Sequence, residues 1–376
     1  MSGCIAFFQA LDDAVADAGV ADAQAAGVPG FPYLRVNRFL SHYRPVTTDD
    51  TRFQAWVDRL VALAREGRRV EWRNLPTARR LRVAASLPGL SDAELGFEAA
   101  FDRCSQRLRT VQLATPAGRL ALQRQAQVPS DYRTGQRVVG LYAVTALPVA
   151  FGIYQWHERT LAKFQMGREA LWMNGQLTAY NPPGGEKLLS KAQVADILRR
   201  AGDNPLGIPE PNQADVKRLF ATFAPVWELD VVTDDDRLGA PYWPAHTDHP
   251  EVDIEKLRVF QHLSYTLFQG KPLLQLNYVI WFSSRPCTSV FDILCGQMDG
   301  INWRVTLSPE GEPLIYDSMH NCGCYHQFFP TRRLVVRTPP NTLDESAFVP
   351  AHAPDIGPGQ RLVLRIASRT HHIEAI

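Results

Sequence analysis

The sequence predicts an α+β protein: a mainly helical N-terminal half (residues 1–221), then a mostly antiparallel β-sheet half (residues 222–376). Three observations carry this. Apolar residues recur at helical spacing up to about Phe220, and two capping-box signatures open helices within that stretch. After Pro225 the pattern changes to apolar runs separated by short Gly-bearing turns. The boundary is soft, and a single domain is the alternative, because the late helices could cover one face of the sheet.

The elements follow in order. From Phe53 to Arg65, apolar Trp56, Val57, Leu60, Val61 and Leu63 alternate with charged Asp58, Arg59 and Arg65, as in a helix with one buried face. Ser91-Asp92-Ala93-Glu94 sets a hydroxyl at an N-cap with a carboxylate three residues on, opening a helix to about Leu108. Val138 to Trp156 is nineteen residues without a charge. A membrane span needs about 20 predominantly apolar residues. Gly140, Gly152 and Gln155 dilute this run and Pro148 interrupts it, so it is read as a buried helix, or two short ones meeting at Pro148. Ser190-Lys191-Ala192-Gln193 repeats the capping box, with Gly202 placed to end that helix in a left-handed conformation. Asn212 caps the next helix, which runs through Val216, Leu219 and Phe220 and stops before Pro225.

In the second half, Arg258–Phe268 and Pro272–Phe282 flank Gln269-Gly270-Lys271 as a hairpin, a register that sets Tyr278 opposite His262. The second of these strands is apolar on both faces, so it should be central. Ile301–Leu307 and Pro313–Met319 form another hairpin, and Leu334–Arg337 and Arg361–Ile366 add two strands. Asp234-Asp235-Asp236 is read as a solvated turn.

Composition excludes several function classes. The 376 residues are 45% hydrophobic with 40 basic against 39 acidic side chains, an ordinary folded composition. No basic surplus is present for neutralising phosphates, so no nucleic-acid partner is expected. There are 34 Arg against 6 Lys, the bias of a GC-rich bacterial genome. Met1-Ser2-Gly3-Cys4 resembles the end of a bacterial lipoprotein signal. The expected location is therefore periplasmic or outer-membrane-anchored, touching membrane only through a lipid on Cys4, with the cytoplasm as alternative.

The chemistry-bearing stretch runs from Asp317 to His326 and contains His320-x-Cys322-x-Cys324-x-His326. Two thiolates and two imidazoles suit zinc or copper(I). In a straight strand the outer histidines lie about 20 Å apart, so a shared ion requires a bend at Asn321 or Gly323 and a ligand from elsewhere. Cys322 or Cys324 is alternatively a nucleophile activated by a neighbouring histidine, with Asp317 in the same catalytic group, or one half of a structural disulfide. Glu228 and Asp230 lie two apart on a strand, and Glu228 is the candidate additional acid/base. Asn277, inside an apolar strand, calls for a buried polar network.

Other short patterns carry less. His246-Thr247-Asp248-His249 resembles part of the metallo-β-lactamase signature, but Pro244 replaces its first histidine and the surrounding elements differ, so a loop is expected. His157-Glu158 lacks the second histidine of a helical zinc protease, since Leu161 stands there. Nucleophile elbow, P-loop and dinucleotide fingerprint are all missing. The expected function is a cell-envelope hydrolase using metal or thiol chemistry around His320–His326 on a small-molecule, peptide or glycan substrate. A non-catalytic binding protein with structural Cys322 and Cys324 is the alternative.

Overall fold

The computed structural model describes residues 2–46, 49–86, 95–129, 142–185, 187–245, 247, 249–287, 295–337, 346–357 and 359–376. It divides into two compact units, Met1–Arg137 and Val138–Ile376. The helical first half and largely antiparallel second half are both present. The division between units falls earlier than residue 222, because the helices on either side of Pro211 share their core with the sheet.

The first unit contains α1 (Ser2–Ala18), the hairpin β1 (Ala26–Val28) and β2 (Phe31–Val36), short α2 (Arg38–Ser41), α3 (Asp50–Asn74), α4 (Thr77–Ala85), α5 (Leu95–Gln112) and α6 (Pro116–Gln125). The apolar stripe seen from Phe53 extends over 25 residues, and Asp49 caps it by accepting from the Arg52 N–H. Phe53, Trp56, Val57 and Leu60 are buried with Phe7, Phe8, Phe97 and Phe101, each contributing about 1.5–3 kcal/mol on burial. Glu71, 1% exposed, anchors a buried ion cluster with Arg35 and Arg68 and also accepts from the Asp22 N–H. Cys4 on α1 is bonded to Cys104 on α5. That sulfur has no valence left for the lipid expected from the sequence. The Ser91 capping box lies outside the described residues.

The second unit opens with α7 (Tyr142–Met166), a single helix through Pro148. Its middle is not buried as expected, since Phe151 and Tyr154 are exposed. Among the described residues, no helix is long and apolar enough to cross a membrane. Next come β3 (Gln176–Tyr180), α8 (Lys191–Ala201), α9 (Gln213–Phe223), β4 (Val226–Val231), β5 (Ala240–Tyr242) and β6 (Glu251–Asp253). Ser190 and Gln193 make the predicted capping box, and Asn212 caps α9. Gly202 ends α8 at φ −85°, not in the left-handed region.

Strands β7 (Phe260–Phe268), β8 (Lys271–Arg285), β9 (Gly296–Leu307), β10 (Pro313–His320) and β11 (Gln327–Pro330) form an antiparallel sheet ordered β11-β10-β9-β8-β7. A second sheet, ordered β13-β12-β4-β3, includes β12 (Val363–Ile366) and β13 (Ile373–Ala375); β12 runs parallel to β4. Leu198, Leu219 and Phe220 of the helices share a core with Leu276, Tyr278, Trp303 and Leu364. The Tyr278 hydroxyl donates to the Phe220 carbonyl at 2.8 Å.

Strand β8 is interior to its sheet, as its two apolar faces require, but the register differs by one residue. His262 pairs with Asn277, and Tyr278 with Gln261. The hairpin loop has two residues, Gln269 (φ 52°) and Gly270 (φ 76°), whose left-handed conformations match strand twist better than a three-residue loop. Asn277 has its network, donating to the His262 carbonyl and Ser264 and accepting from Asn302. Leu334–Arg337 forms no strand, and Val335 there is 88% exposed.

Candidate functional site

One end of the five-stranded sheet holds a buried chain of alternating carboxylates and imidazoles. Asp299 lies on β9 opposite Phe282, and His320 ends β10 opposite Ile301. Asp236 closes the turn after β4, and His371 sits between β12 and β13. His320 Nδ1 lies 3.1 Å from Asp299 Oδ1, and His371 Nδ1 lies 2.8 Å from Asp299 Oδ2. His371 Nε2 faces Asp236 Oδ1 at 3.4 Å, an ion-pair separation without a well-aligned hydrogen bond. The His371 ring stacks on Phe282 at 3.8 Å, which fixes its plane.

The charges follow from these contacts. Burial opposes ionisation of Asp299, but His320 and His371 outweigh it and hold its carboxyl well below the usual carboxylate range. Burial likewise opposes Asp236. Nearby His371 and the N–H groups of Arg369, Val232 and Thr233 prevail, bringing it down to about 2. Burial favours neutral His371, yet its two carboxylate neighbours raise it above 6.5. Burial, with the nearby His320, Arg285 and Lys163, outweighs Asp299 at His372 and holds its pKa well below 6.5.

An aromatic wall adjoins His320. Its ring centroid lies 5.1 Å from Tyr325 and 5.3 Å from His372, and Trp156 lies 5.1 Å from Tyr325. His157 stacks on Phe348 at 3.9 Å and so joins this wall. The Arg285 guanidinium covers the Tyr325 ring at 5.4 Å. Backbone strain concentrates here. Met298, Tyr325, Arg369 and His371 have φ of 58°, 56°, 61° and 52°, and Gln269 in its hairpin is the one other described non-glycine with positive φ. Such conformations persist where surrounding structure over-determines them, often at functional sites.

The sequence-predicted residues are distributed unevenly over this frame. His320 belongs to the chain. Cys322 and Cys324 are exposed thiols on the turn that follows. The turn bends as a shared site would require, with Gly323 at φ 83° and its N–H donating to the His320 carbonyl at 2.8 Å. His326 does not converge with them: its Nε2 lies 3.0 Å from Asp317 Oδ1, and Asp317 also accepts two bonds from Arg304. Asp317 is thus a buried ion-pair partner. Among the described residues, no group of three or more His, Cys, Asp or Glu is arranged to hold a metal ion.

The remaining candidates have structural partners. Glu228 is paired with Arg168 at 2.6 Å and Arg365 at 3.6 Å. Asp230 accepts from the Asn174 and Gly175 N–H groups and from Ser368. Asp236, read from sequence as solvated, is 1% exposed, because four contacts converge on it. His246 and Asp248 lie outside the described residues, and the hydroxyl of Thr247 donates to the His249 carbonyl.

Sequence reasoning missed Asp299, His371 and His372. The adjacent histidines at 371 and 372, ahead of a short apolar strand, are the one signal that could have drawn attention. In chemical terms, Asp299 fixes the His320 ring through Nδ1, leaving Nε2 as the nitrogen able to exchange a proton with a reactant. The contact with Cys322 and burial push the Cys324 thiol up to about 11, which lowers its thiolate fraction at neutral pH. Comparison with protein families, characterised proteins and solved structures finds no match.

Proposed function

We propose that the protein is a bacterial cell-envelope hydrolase in which His320 is the general acid/base, positioned by Asp299, with His371 and Asp236 holding Asp299 in place. The carrying observation is the buried Asp236–His371–Asp299–His320 chain, flanked by left-handed Met298, Tyr325 and Arg369. Half-buried Tyr325 beside His320 marks the side from which a small-molecule, peptide or glycan substrate would approach. The Cys4–Cys104 and Cys287–Cys295 disulfides suit an oxidising compartment, and the periplasm is the compartment this reading selects. A zinc-dependent form has less support, because His320 and His326 are held by different carboxylates instead of being turned to one point.

The test is a panel of chromogenic esters, peptides and glycosides, run alongside elemental analysis of the purified protein. Turnover of one class should fall about 10²–10⁴-fold in His320→Asn with the fold retained. Turnover unchanged in that variant refutes the assignment. Stoichiometric zinc, lost in Cys322→Ser or Cys324→Ser, would restore the metal form. The non-catalytic reading is favoured by exposed Trp172 (81%) and Trp243 (65%), side chains suited to stacking on a glycan or partner. It predicts binding without turnover across the panel.

A further inference from the structure

Cys322 and Cys324 stand apart from the imidazole–carboxylate chain, and their placement supports a separate chemistry. Both are exposed, and neither takes part in the Cys4–Cys104 or Cys287–Cys295 disulfide. They flank Gly323 in a turn closed twice by backbone: the Gly323 N–H donates to the His320 carbonyl at 2.8 Å, and the His320 N–H to the Cys324 carbonyl at 3.0 Å. Left-handed Gly323 and Tyr325 reverse the chain, so the two side chains emerge from the same short loop. Residues two apart on an extended strand have Cα atoms about 6.6 Å from each other, and a turn shortens this towards the roughly 4.4–6.8 Å that a disulfide spans.

We propose that Cys322 and Cys324 form a thiol–disulfide exchange site, cycling between two thiols and an intraturn disulfide at the expense of a low-molecular-weight disulfide. One cysteine loses its proton and attacks a sulfur of the external disulfide. A mixed disulfide forms, and the first external thiolate leaves and takes up that proton. The second cysteine then loses its proton and attacks the protein sulfur of the mixed disulfide. The Cys322–Cys324 bond forms, and the second external thiol departs protonated. The protein is oxidised by two electrons and the external disulfide is reduced to two thiols; the reverse reaction uses the same steps. Exposure and the small ring make the resulting bond labile, unlike Cys4–Cys104, whose cysteines are buried.

The experiment treats the full-length protein with oxidised and then reduced glutathione, counting thiols and mapping cysteine pairs by peptide mass spectrometry. The expected result is loss of two thiols per chain, a Cys322–Cys324 cross-link, and recovery of both thiols on reduction. Cys322→Ser and Cys324→Ser should each hold one glutathione as a stable mixed disulfide, with circular dichroism confirming their fold. Wild-type protein that keeps both thiols, or retains glutathione without forming the cross-link, overturns the proposal. None of these outcomes depends on hydrolysis, so the His320 assignment stands or falls separately.

Discussion

Replacing Asp299 by Asn tests the electrostatic core of the site. The carboxylate accepts from His320 Nδ1 at 3.1 Å and His371 Nδ1 at 2.8 Å, and its side chain is 11% exposed. An amide offers one acceptor oxygen; its NH₂ would face a second ring N–H, leaving one donor opposed to another. His371 would also keep only Asp236, at 3.4 Å, to balance its charge. Removing one partner of a buried ion pair costs about 3–5 kcal/mol, and we expect the lower end because the amide retains one bond. The penalty should depend on pH. His371 has a folded pKa above its ordinary 6.5, so its contribution is complete below pH 6.5 and fades as pH rises through the folded value. Asp299 and Asp236 have depressed folded values, so theirs is present above the ordinary 3.8 and fades as pH falls through those values. The penalty is therefore largest between about pH 4 and 6.5 and shrinks as pH rises through the folded value of His371. Urea unfolding followed by tryptophan fluorescence at pH 6 and pH 9 measures it, using the transition that the substitution displaces. A penalty below about 1 kcal/mol at pH 6 would falsify the electrostatic account.

Three further substitutions probe other links. A Cβ on Gly300 would lie 2.1 Å from Asn321 Nδ2 and 2.4 Å from the Ile280 carbonyl, so Gly300→Ala should lower stability by about 1–3 kcal/mol and alter thiol reactivity on the adjoining turn, both measurable on one sample. Glu71→Ala leaves Arg35 and Arg68 buried without their shared carboxylate; a cost of about 3–5 kcal/mol in thermal unfolding is expected, and a change under 1 kcal/mol would contradict the ion-cluster reading. Cys104→Ala opens a loop of sequence separation 100, for which chain entropy gives about 4.7 kcal/mol. Non-reducing peptide mapping of the wild type should recover Cys4 joined to Cys104, and recovery of lipid-modified Cys4 would refute that pairing.

Sequence alone determined the features whose causes lie within a few residues of one another. The Ser190–Gln193 capping box and the Asn212 cap close over three residues, and the α3 stripe declares its buried face through period alone. The two hairpins around Gly270 and Gly311 were legible because the turn residues sit between the strands they join. Asn277 announced a buried network because an amide in an apolar strand needs partners. Tertiary structure decided the rest. A two-residue loop instead of three moved His262 from Tyr278 to Asn277, and a single residue of register changes which side chains meet. Asp299 and His371 are 72 residues apart, and Cys4 and Cys104 are 100 apart; nothing in either local pattern encodes the other. His320 and His326, six residues apart, were separated by hairpin pairing that gave each its own aspartate. Local propensity acts through neighbours along the chain. Which charges converge depends on strand order and register, set by the burial of the whole core.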